Sequence, residues 1–249
     1  MLKMKKKKNF QVCLLTLLGV FILFNNSCKK DVIEPYINAN KPLFNPVLTY
    51  GTVTDIDSNI YRTISIGTQI WMAENLKVIH YRNGDPITNV IYVYIWDTLT
   101  TGAYCEYYNR SENSKTYGNL YNWYSVNDSR IIAPTGWHIP TNDEWDTLQT
   151  YLGLPKDAGG KLKETDFLHW QNPNTGATNE SGFTALPGGL RNESGNYYFA
   201  GNYAHWWSSS INSGHGGAYF WIIYSDQSIF SSGSRDKRNG FSVRCVKDK

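Results

Sequence analysis

Residues 134–153 read Pro-Thr-Gly-Trp-His-Ile-Pro-Thr-Asn-Asp-Glu-Trp-Asp-Thr-Leu-Gln-Thr-Tyr-Leu-Gly and carry the clearest structural signal in the chain. Thr141 and Glu144 have the capping-box spacing, in which each side chain binds a backbone N–H that is otherwise free at a helix start. Three apolar residues then recur at helical spacing: Trp145, Leu148 and Leu152. Gly153 and Pro155 favour termination, because glycine accepts a left-handed backbone and proline lacks an amide hydrogen. We therefore predict an amphipathic helix that begins at the capping box.

The chain before this helix carries a hairpin signal and a second helical pattern. Residues 61–66 are rich in aromatic and β-branched side chains, and Gly67-Thr68 can turn the chain into residues 69–72. In residues 117–124, three side chains are spaced i, i+3 and i+4 and so share a helix face: Leu120, Trp123 and Tyr124. These patterns predict a β-hairpin and a further helix.

The C-terminal third is predicted to form strands. Four stretches have strand character: residues 206–210, 217–224, 228–232 and 241–246. Asp226-Gln227 is expected to mark a hairpin turn between two of them. Two early helices followed by a β-rich end predict an α+β domain over residues 50–249. That length is sufficient for one substantial core, and all nine tryptophans lie within it.

The N-terminus has the pattern of an export signal. Residues 1–9 contain five lysines and no acid, and residues 10–24 are apolar apart from Gln11, Thr16 and Gly19. The apolar run spans about 22 Å as a helix, which is short for a hydrocarbon core of about 30 Å. We therefore predict a signal peptide over residues 1–27 rather than a permanent membrane helix.

The end of this segment resembles a bacterial lipobox. It reads Phe24-Asn25-Asn26-Ser27-Cys28, with a small residue before the cysteine. The resemblance implies cleavage before Cys28, diacylglycerol on its thiol and a membrane partner bound through that lipid anchor. The alternative is an ordinary secretory signal with an incidental cysteine.

Residues 28–49 are predicted to be the lipidated cysteine and a flexible tether. They carry prolines at 35, 42 and 46 and show no sustained hydrophobic period. Lys29-Lys30-Asp31 resembles surface-export signals of Bacteroidetes lipoproteins. We therefore expect an outer-membrane lipoprotein exposed at the cell surface, with the periplasmic face as the alternative.

Cleavage at residue 27 changes the charge and cysteine content. The full chain has 24 basic and 21 acidic residues, and the signal removes five lysines, leaving 19 basic residues against 21 acids. The apparent basicity therefore gives no reason to expect a nucleic-acid partner. Cys105 and Cys245 remain in an oxidising compartment. They form either one disulfide or two separately buried thiols.

Several sequence blocks, in family order, resemble the Fibrobacter succinogenes major paralogous (FISUMP) domain found in lipoproteins of Bacteroidetes-type bacteria. The blocks are residues 70–76 (Ile-Trp-Met-Ala-Glu-Asn-Leu), 117–123 (Tyr-Gly-Asn-Leu-Tyr-Asn-Trp), 134–145, 182–189 (Gly-Phe-Thr-Ala-Leu-Pro-Gly-Gly), 206–210 (Trp-Trp-Ser-Ser-Ser) and 240–246 (Gly-Phe-Ser-Val-Arg-Cys-Val). The resemblance implies a C-type-lectin-like fold related to the formylglycine-generating-enzyme group, without an established activity. Some relatives have a cysteine before the Pro-x-Gly-Trp-His block, where this chain has Ala133.

Metal and catalytic signals are sparse. The five histidines, at positions 80, 138, 169, 205 and 215, lack metal-ligand spacing. We interpret His138 as a packed residue that hydrogen-bonds the backbone, and His215 as part of a flexible turn. No cofactor is required by the sequence. The sequence favours calcium over zinc, since lectin-like folds often hold calcium with loop oxygens and one loop contains Asn172, Asn174, Asn179 and Glu180. The alternative is that these residues are ordinary turn formers.

The remaining signal is an aromatic surplus, because Phe, Trp and Tyr make up 15% of the chain. Tyr197, Tyr198, Phe199 and Tyr203 lie in a Gly/Asn-rich stretch that suits an exposed loop, and flat rings can stack on the apolar face of a pyranose. We therefore predict a non-enzymatic binding module for a glycan or a protein partner. The alternative is an exported enzyme related to the formylglycine-generating group, or a divergent hydrolase.

Overall fold

The computed structural model describes residues 41–214 and 216–249. The predicted signal peptide, Cys28, the export residues 29–31 and His215 lie outside them. Five helices are present in the described part: α1 (Val93–Trp96), α2 (Ser111–Tyr117), α3 (Trp123–Val126), α4 (Asn142–Leu152) and α5 (Pro155–Leu162). A 3₁₀ turn covers Tyr107–Asn109. The strands are β1 (Gly51–Thr54), β2 (Ile60–Ile66), β3 (Gln69–Met72), β4 (Thr88–Asn89), β5 (Ala103–Cys105), β6 (Leu120–Tyr121), β7 (Trp137–His138), β8 (Gly188–Arg191), β9 (Tyr197–Ala200), β10 (Tyr203–Asn212), β11 (Gly217–Tyr224), β12 (Phe230–Arg235) and β13 (Val246–Lys247).

These strands form three sheets, which makes the domain a mixed α and β structure, as predicted. The first sheet has the order β1-β2-β3-β13-β7, the second β12-β11-β10-β8-β9 and the third β4-β5-β6. The predicted hairpin is confirmed, since Ile66 pairs with Gln69 across the β2–β3 turn. In the first sheet β13 pairs with both β3 and β7, so the last strand closes the sheet that the first strands open.

Helix α4 is the predicted helix, and its capping box is formed. The Thr141 side chain accepts a hydrogen bond from the Glu144 N–H, and the Glu144 carboxylate accepts one from the Thr141 N–H. The three predicted apolar residues are buried. Trp145 stands inside a ring of aromatic side chains, with ring centroids 4.6–6.2 Å away: Trp71, Phe183, Trp206, Trp221 and Phe230. The helix thereby joins the first sheet to the second.

Of the stretch 117–124 that was predicted to start a helix, only Trp123 and Tyr124 do so, as the first residues of α3. Helix α2 ends at Tyr117, and Leu120–Tyr121 form β6, which pairs with Cys105 and Tyr104. Gly118 breaks the helix with a φ of +74°, and a Cβ there would lie 2.7 Å from the Leu76 carbonyl oxygen. Strand pairing with distant residues has overridden the local apolar spacing.

The first two predicted C-terminal strands are confirmed, and the last two differ from the prediction. Residues 206–210 lie within β10, residues 217–224 are β11, and β12 begins at Phe230 rather than at 228. Residues 241–246 do not form one strand. Phe241 and Ser242 make isolated bridges to Tyr121 and Trp206, and regular pairing begins only at Val246. The segment instead connects two sheets and contacts each of them.

The predicted tether ends earlier than residue 49. The Leu43 N–H donates a 2.5 Å hydrogen bond to the Glu164 carboxylate, and the Asn45 side chain donates to the Asn179 carbonyl at 3.0 Å. Phe44, Leu48 and Tyr50 pack against the tryptophan-rich core. The chain is thus part of the domain from Leu43 onward. Among the residues described here, no helix has the length and apolar character needed to cross a membrane.

The capping box gives a first testable result. Thr141→Ala removes the side-chain acceptor for the Glu144 N–H, and loss of such a cap costs about 1 kcal/mol. We expect the free energy of unfolding, measured by urea denaturation, to fall by that amount. Thr141→Ser keeps the acceptor and should stay within a few tenths of a kcal/mol of the unaltered protein. Equal losses in both variants would contradict the assignment.

His138 does not bind the backbone as interpreted from the sequence. Its Nδ1 contacts Asp248 at 2.6 Å and its Nε2 contacts Glu144 at 2.9 Å, so it links the C-terminal residues to the start of α4. Burial alone would lower the pKa of His138, but these carboxylates outweigh burial and raise it above the ordinary value of 6.5. The stabilisation is therefore complete below about pH 6.5 and is lost as the pH rises through the folded-state pKa.

The sign of this effect can be measured. We expect His138→Gln to lower the free energy of unfolding at about pH 6 and to have little effect at about pH 9. The difference should stay below about 1 kcal/mol, because the ion pair is partly exposed. Urea denaturation of both proteins at the two pH values makes the comparison, and a pH-independent difference would contradict the charged pairing.

Candidate functional site

The predicted aromatic stretch is not a loop but forms β9 and the start of β10. Strand β9 pairs antiparallel with β8, with Arg191 opposite Tyr197 and Leu190 opposite Tyr198. Because successive side chains of a strand point to opposite faces, the two neighbouring tyrosines separate. Tyr197 packs against the rings of Tyr107 and Tyr108, and its hydroxyl donates to Asn109 at 2.7 Å.

The other face of this hairpin borders a surface cavity of about 600 Å³. Tyr198 and Phe199 line the cavity and remain 44% and 45% exposed. Tyr203 does not line it but stacks under Phe199, with ring centroids 4.6 Å apart and planes inclined by 27°. Of the predicted ligand-binding residues, the structure therefore places Tyr198 in the cavity, Tyr203 behind it and Tyr197 outside it.

Polar side chains from two separate segments complete the cavity. The turn after β8 contributes Asn192 and Glu193, and the end of β12 with the turn beyond it contributes Ser234, Arg235, Asp236 and Asn239. Arg238 donates two hydrogen bonds to Asp236, at 2.9 and 2.8 Å, and these lower the pKa of Asp236. No hydrogen bond or ion pair engages the Arg235 guanidinium or the Glu193 carboxylate within the described part of the chain. Two charged groups are thus available to a ligand beside two exposed rings.

Phe199 has a strained backbone, with a φ of +65°. A bulky residue rarely occupies this left-handed region, and such strain often marks a functional position. Phe199 lies in a turn in which the Asn202 N–H donates to the Phe199 carbonyl oxygen at 3.0 Å. The chain therefore keeps an exposed aromatic ring at a position whose backbone favours glycine.

A matched pair of variants tests this strain. Phe199→Ala and Phe199→Gly both remove the ring, but only glycine adopts the positive φ without cost. We expect the glycine variant to be more stable than the alanine variant by about 1 kcal/mol in urea denaturation. Alanine equal to or above glycine would show that the backbone at residue 199 is not strained.

Arg191 holds the hairpin in place and was not singled out from the sequence. It is buried, and its guanidinium donates to the carbonyls of Gly195, Val90 and Ile91 at 2.9, 2.5 and 3.2 Å. The ring of Trp96 lies 4.3 Å from its central carbon. The side chain thereby ties the β8–β9 turn, which carries Glu193, to the segment before α1. An arginine in a short strand carries no sequence signal for such a role.

The candidate disulfide between Cys105 and Cys245 is not formed. Both thiols are free and buried, Cys105 in the cluster around the third sheet and Cys245 in the main cluster beside β3. Burial raises the pKa of Cys105 to about 11 and that of Cys245 still further. A nucleophilic or metal-binding cysteine requires the thiolate, so both environments oppose the chemistry expected of a formylglycine-generating enzyme.

Three of the four side chains considered for calcium make internal contacts, although the buried Asn174 Oδ1 accepts no hydrogen bond within the described residues. Asn174 donates to the carbonyls of Glu164 and Asp166, Asn179 exchanges hydrogen bonds with Thr184, and Glu180 pairs with Lys161 at 3.1 Å. Within residues 41–214 and 216–249, no group of three or more His, Cys, Asp or Glu side chains is placed to hold a metal ion. Calcium binding stays a prediction.

Fold and site together define an α+β domain with an aromatic, polar-rimmed surface cavity. A family model, that of the Fibrobacter succinogenes major domain, matches residues 64–247, and the chain belongs to this family. Searches of curated proteins and of solved structures found no significant match.

Proposed function

We propose that the protein is an exported, lipid-anchored surface protein whose domain binds a glycan in the cavity beside Tyr198. The observation that carries the proposal is the pairing of two half-exposed rings with uncommitted polar groups. A pyranose has an apolar face that stacks on an aromatic ring and hydroxyls that need directed hydrogen bonds. Tyr198 and Phe199 supply the rings, and Arg235 and Glu193 supply a donor and an acceptor.

The size of the cavity suits a saccharide. A volume of about 600 Å³ falls within the range of about 300–1,000 Å³ that is usual for small-ligand sites. The walls contain both signs of charge, together with the neutral side chains of Asn192, Ser234 and Asn239. Such a mixture favours a ligand rich in hydroxyls over a purely apolar one.

The supporting framework is held rigidly, as a binding site requires. Arg191 fixes the turn that carries Glu193, and Arg238, which binds Asp236, also donates to the Asp97 carbonyl at 2.6 Å. Both walls of the cavity are thus tied to the segment around α1. A site preorganised in this way loses less entropy when it binds.

The export signal, the lipid on Cys28, the outer-membrane location facing the cell exterior and the C-type-lectin-like character of the fold are parts of the same proposal. They rest on the lipobox, on residues 29–31 and on the family resemblance, and the mixed α and β architecture agrees with the last of these. A protein anchored in this way would present its cavity to polymers outside the cell. Mass spectrometry of the mature chain, purified from membranes of its own host, tests lipidation of Cys28 directly.

A glycan array tests the binding function. The sample is the unlipidated chain from residue 29 onward, which retains all three hydrophobic clusters, and the array is run with and without calcium. We expect saturable binding to one polysaccharide class. Dependence on calcium would assign the ion to the site, and binding without calcium would remove it from the proposal. No binding to any glycan would overturn the proposed ligand class.

A further inference from the structure

An apolar tip stands out on the domain surface, and the proposed glycan site does not use it. Five consecutive side chains, here called the apolar tip, are between 39% and 68% exposed: Ile91, Tyr92, Val93, Tyr94 and Ile95. The tip comprises Ile91, the N-cap residue Tyr92 and the first three residues of α1, and the buried Trp96 ends that helix. Isolated exposed apolar residues are ordinary, but a contiguous run of this size marks an interaction surface.

The chemistry of the tip is that of a membrane interface. Residues 86–96 contain no charged side chain, and Asp85 and Asp97 flank the stretch. The rings of Tyr92 and Tyr94 stack at 5.5 Å beside three β-branched aliphatic side chains. Tyrosine is enriched where hydrocarbon meets water, because its ring is apolar and its hydroxyl is polar. The tip combines both elements within one helical turn.

The size of the tip argues against a second copy of the chain as its occupant. Five side chains of this kind, about half exposed, present on the order of 500 Å², whereas a stable protein interface buries about 800 Å² on each partner. Insertion into a lipid interface needs no matching protein surface, and a small apolar wedge is sufficient for it.

The tether places the tip within reach of a bilayer. Fourteen residues separate Cys28 from Leu43, where the chain joins the domain, and they span at most about 50 Å. A series of contacts connects that junction with the tip. The Leu43 N–H donates to Glu164, Glu164 contacts His169, and His169 packs on Tyr117 at the end of α2. At the other end of α2, Asn109 donates to the Ile91 carbonyl. Helix α2 has seven residues and is about 10 Å long.

We propose that the apolar tip inserts into the lipid interface as a second membrane contact beside the lipid anchor. The proposal rests on the proposed anchor for the nearness of the bilayer, but the apolar tip acts through its own side chains. Both contacts together would restrict how the domain is oriented on the membrane. The flanking acids provide no attraction to anionic lipid, so insertion is driven by apolar burial and is insensitive to salt.

Vesicle sedimentation tests the tip without the anchor. The unlipidated chain from residue 29 is mixed with vesicles of phosphatidylcholine, alone or with phosphatidylglycerol, at low and high salt. We expect it to partition onto both kinds of vesicle at either salt concentration. The double variant Tyr92→Ser/Tyr94→Ser should partition at least about ten-fold more weakly. Tyr151→Ser, which alters a tyrosine with a similar exposure of 64% on α4, should not differ from the unaltered chain.

A second readout tests the inference even if the double variant misfolds. Tyr94→Trp keeps an amphipathic ring at the most exposed position of the tip, and its emission should shift to shorter wavelength when vesicles are added. Absence of partitioning, binding that survives the double substitution, or concentration-dependent dimerisation through the tip without vesicle binding would each overturn the inference. None of these outcomes bears on glycan binding or on lipidation of Cys28, which the array and mass spectrometry read independently.

Discussion

Replacing Arg244 with methionine is expected to destabilise the domain by about 3 kcal/mol. The guanidinium is buried and donates to the Asn75 side chain at 2.9 Å and to the carbonyls of Met72, Phe183 and Thr184. Burial lowers the pKa of Arg244 to about 9, so the group stays charged at neutral pH. Methionine fills similar volume but leaves four buried acceptors without these donors.

The measurement is urea denaturation, with Arg235→Met as the matched control. Arg235 is exposed, so its replacement should change the free energy of unfolding by less than about 0.5 kcal/mol. Arg244→Lys should recover little of the loss, because one ammonium cannot satisfy acceptors arranged around a planar guanidinium. If Arg244→Met stayed within about 1 kcal/mol of the unaltered protein, Arg244 would not organise the junction of β3 and the segment before β8.

The parts of the fold that the sequence predicted are those with local signals. The capping box needs only residues three apart, and the β2–β3 hairpin needs only two strand-like runs and a turn. The helix expected from residue 117 begins only at Trp123, because the backbones of Leu120 and Tyr121 pair with Cys105 and Phe241, which are distant in sequence. Residues 241–246 failed for the same reason, since their hydrogen bonds go to several different strands.

The candidate site was predicted in part. The aromatic stretch borders the candidate cavity, and Tyr198 lines it. The alternation of a strand, which turns Tyr197 away, was not expected because the stretch was interpreted as a loop. Glu193 and Arg235 carry no local signal, since they are 42 residues apart and meet only when the turn after β8 faces the end of β12. Charged side chains on a surface are too common for their shared placement beside one cavity to be predicted from sequence.

The second large expected effect is on the affinity of the cavity for its ligand. Tyr198→Ala removes one of the two exposed rings of the cavity. Loss of a stacking ring costs about 1–1.5 kcal/mol of binding free energy, which corresponds to a dissociation constant about ten-fold larger. The fold should survive, because Tyr198 is exposed and makes a ring contact only with Phe199 among the described residues. Tyr151→Ala removes a ring that lies outside the cavity and is more exposed, at 64% against 44% for Tyr198, and it serves as the control.

Calorimetric titration of the unaltered chain, Tyr198→Ala and Tyr151→Ala with the polysaccharide selected on the array tests the central claim most directly. The account predicts saturable binding by the unaltered chain and by Tyr151→Ala with equal dissociation constants, and about ten-fold weaker binding by Tyr198→Ala with an unchanged unfolding midpoint. Equal binding by all three proteins, or the absence of any polysaccharide that binds, would contradict a glycan site in this cavity.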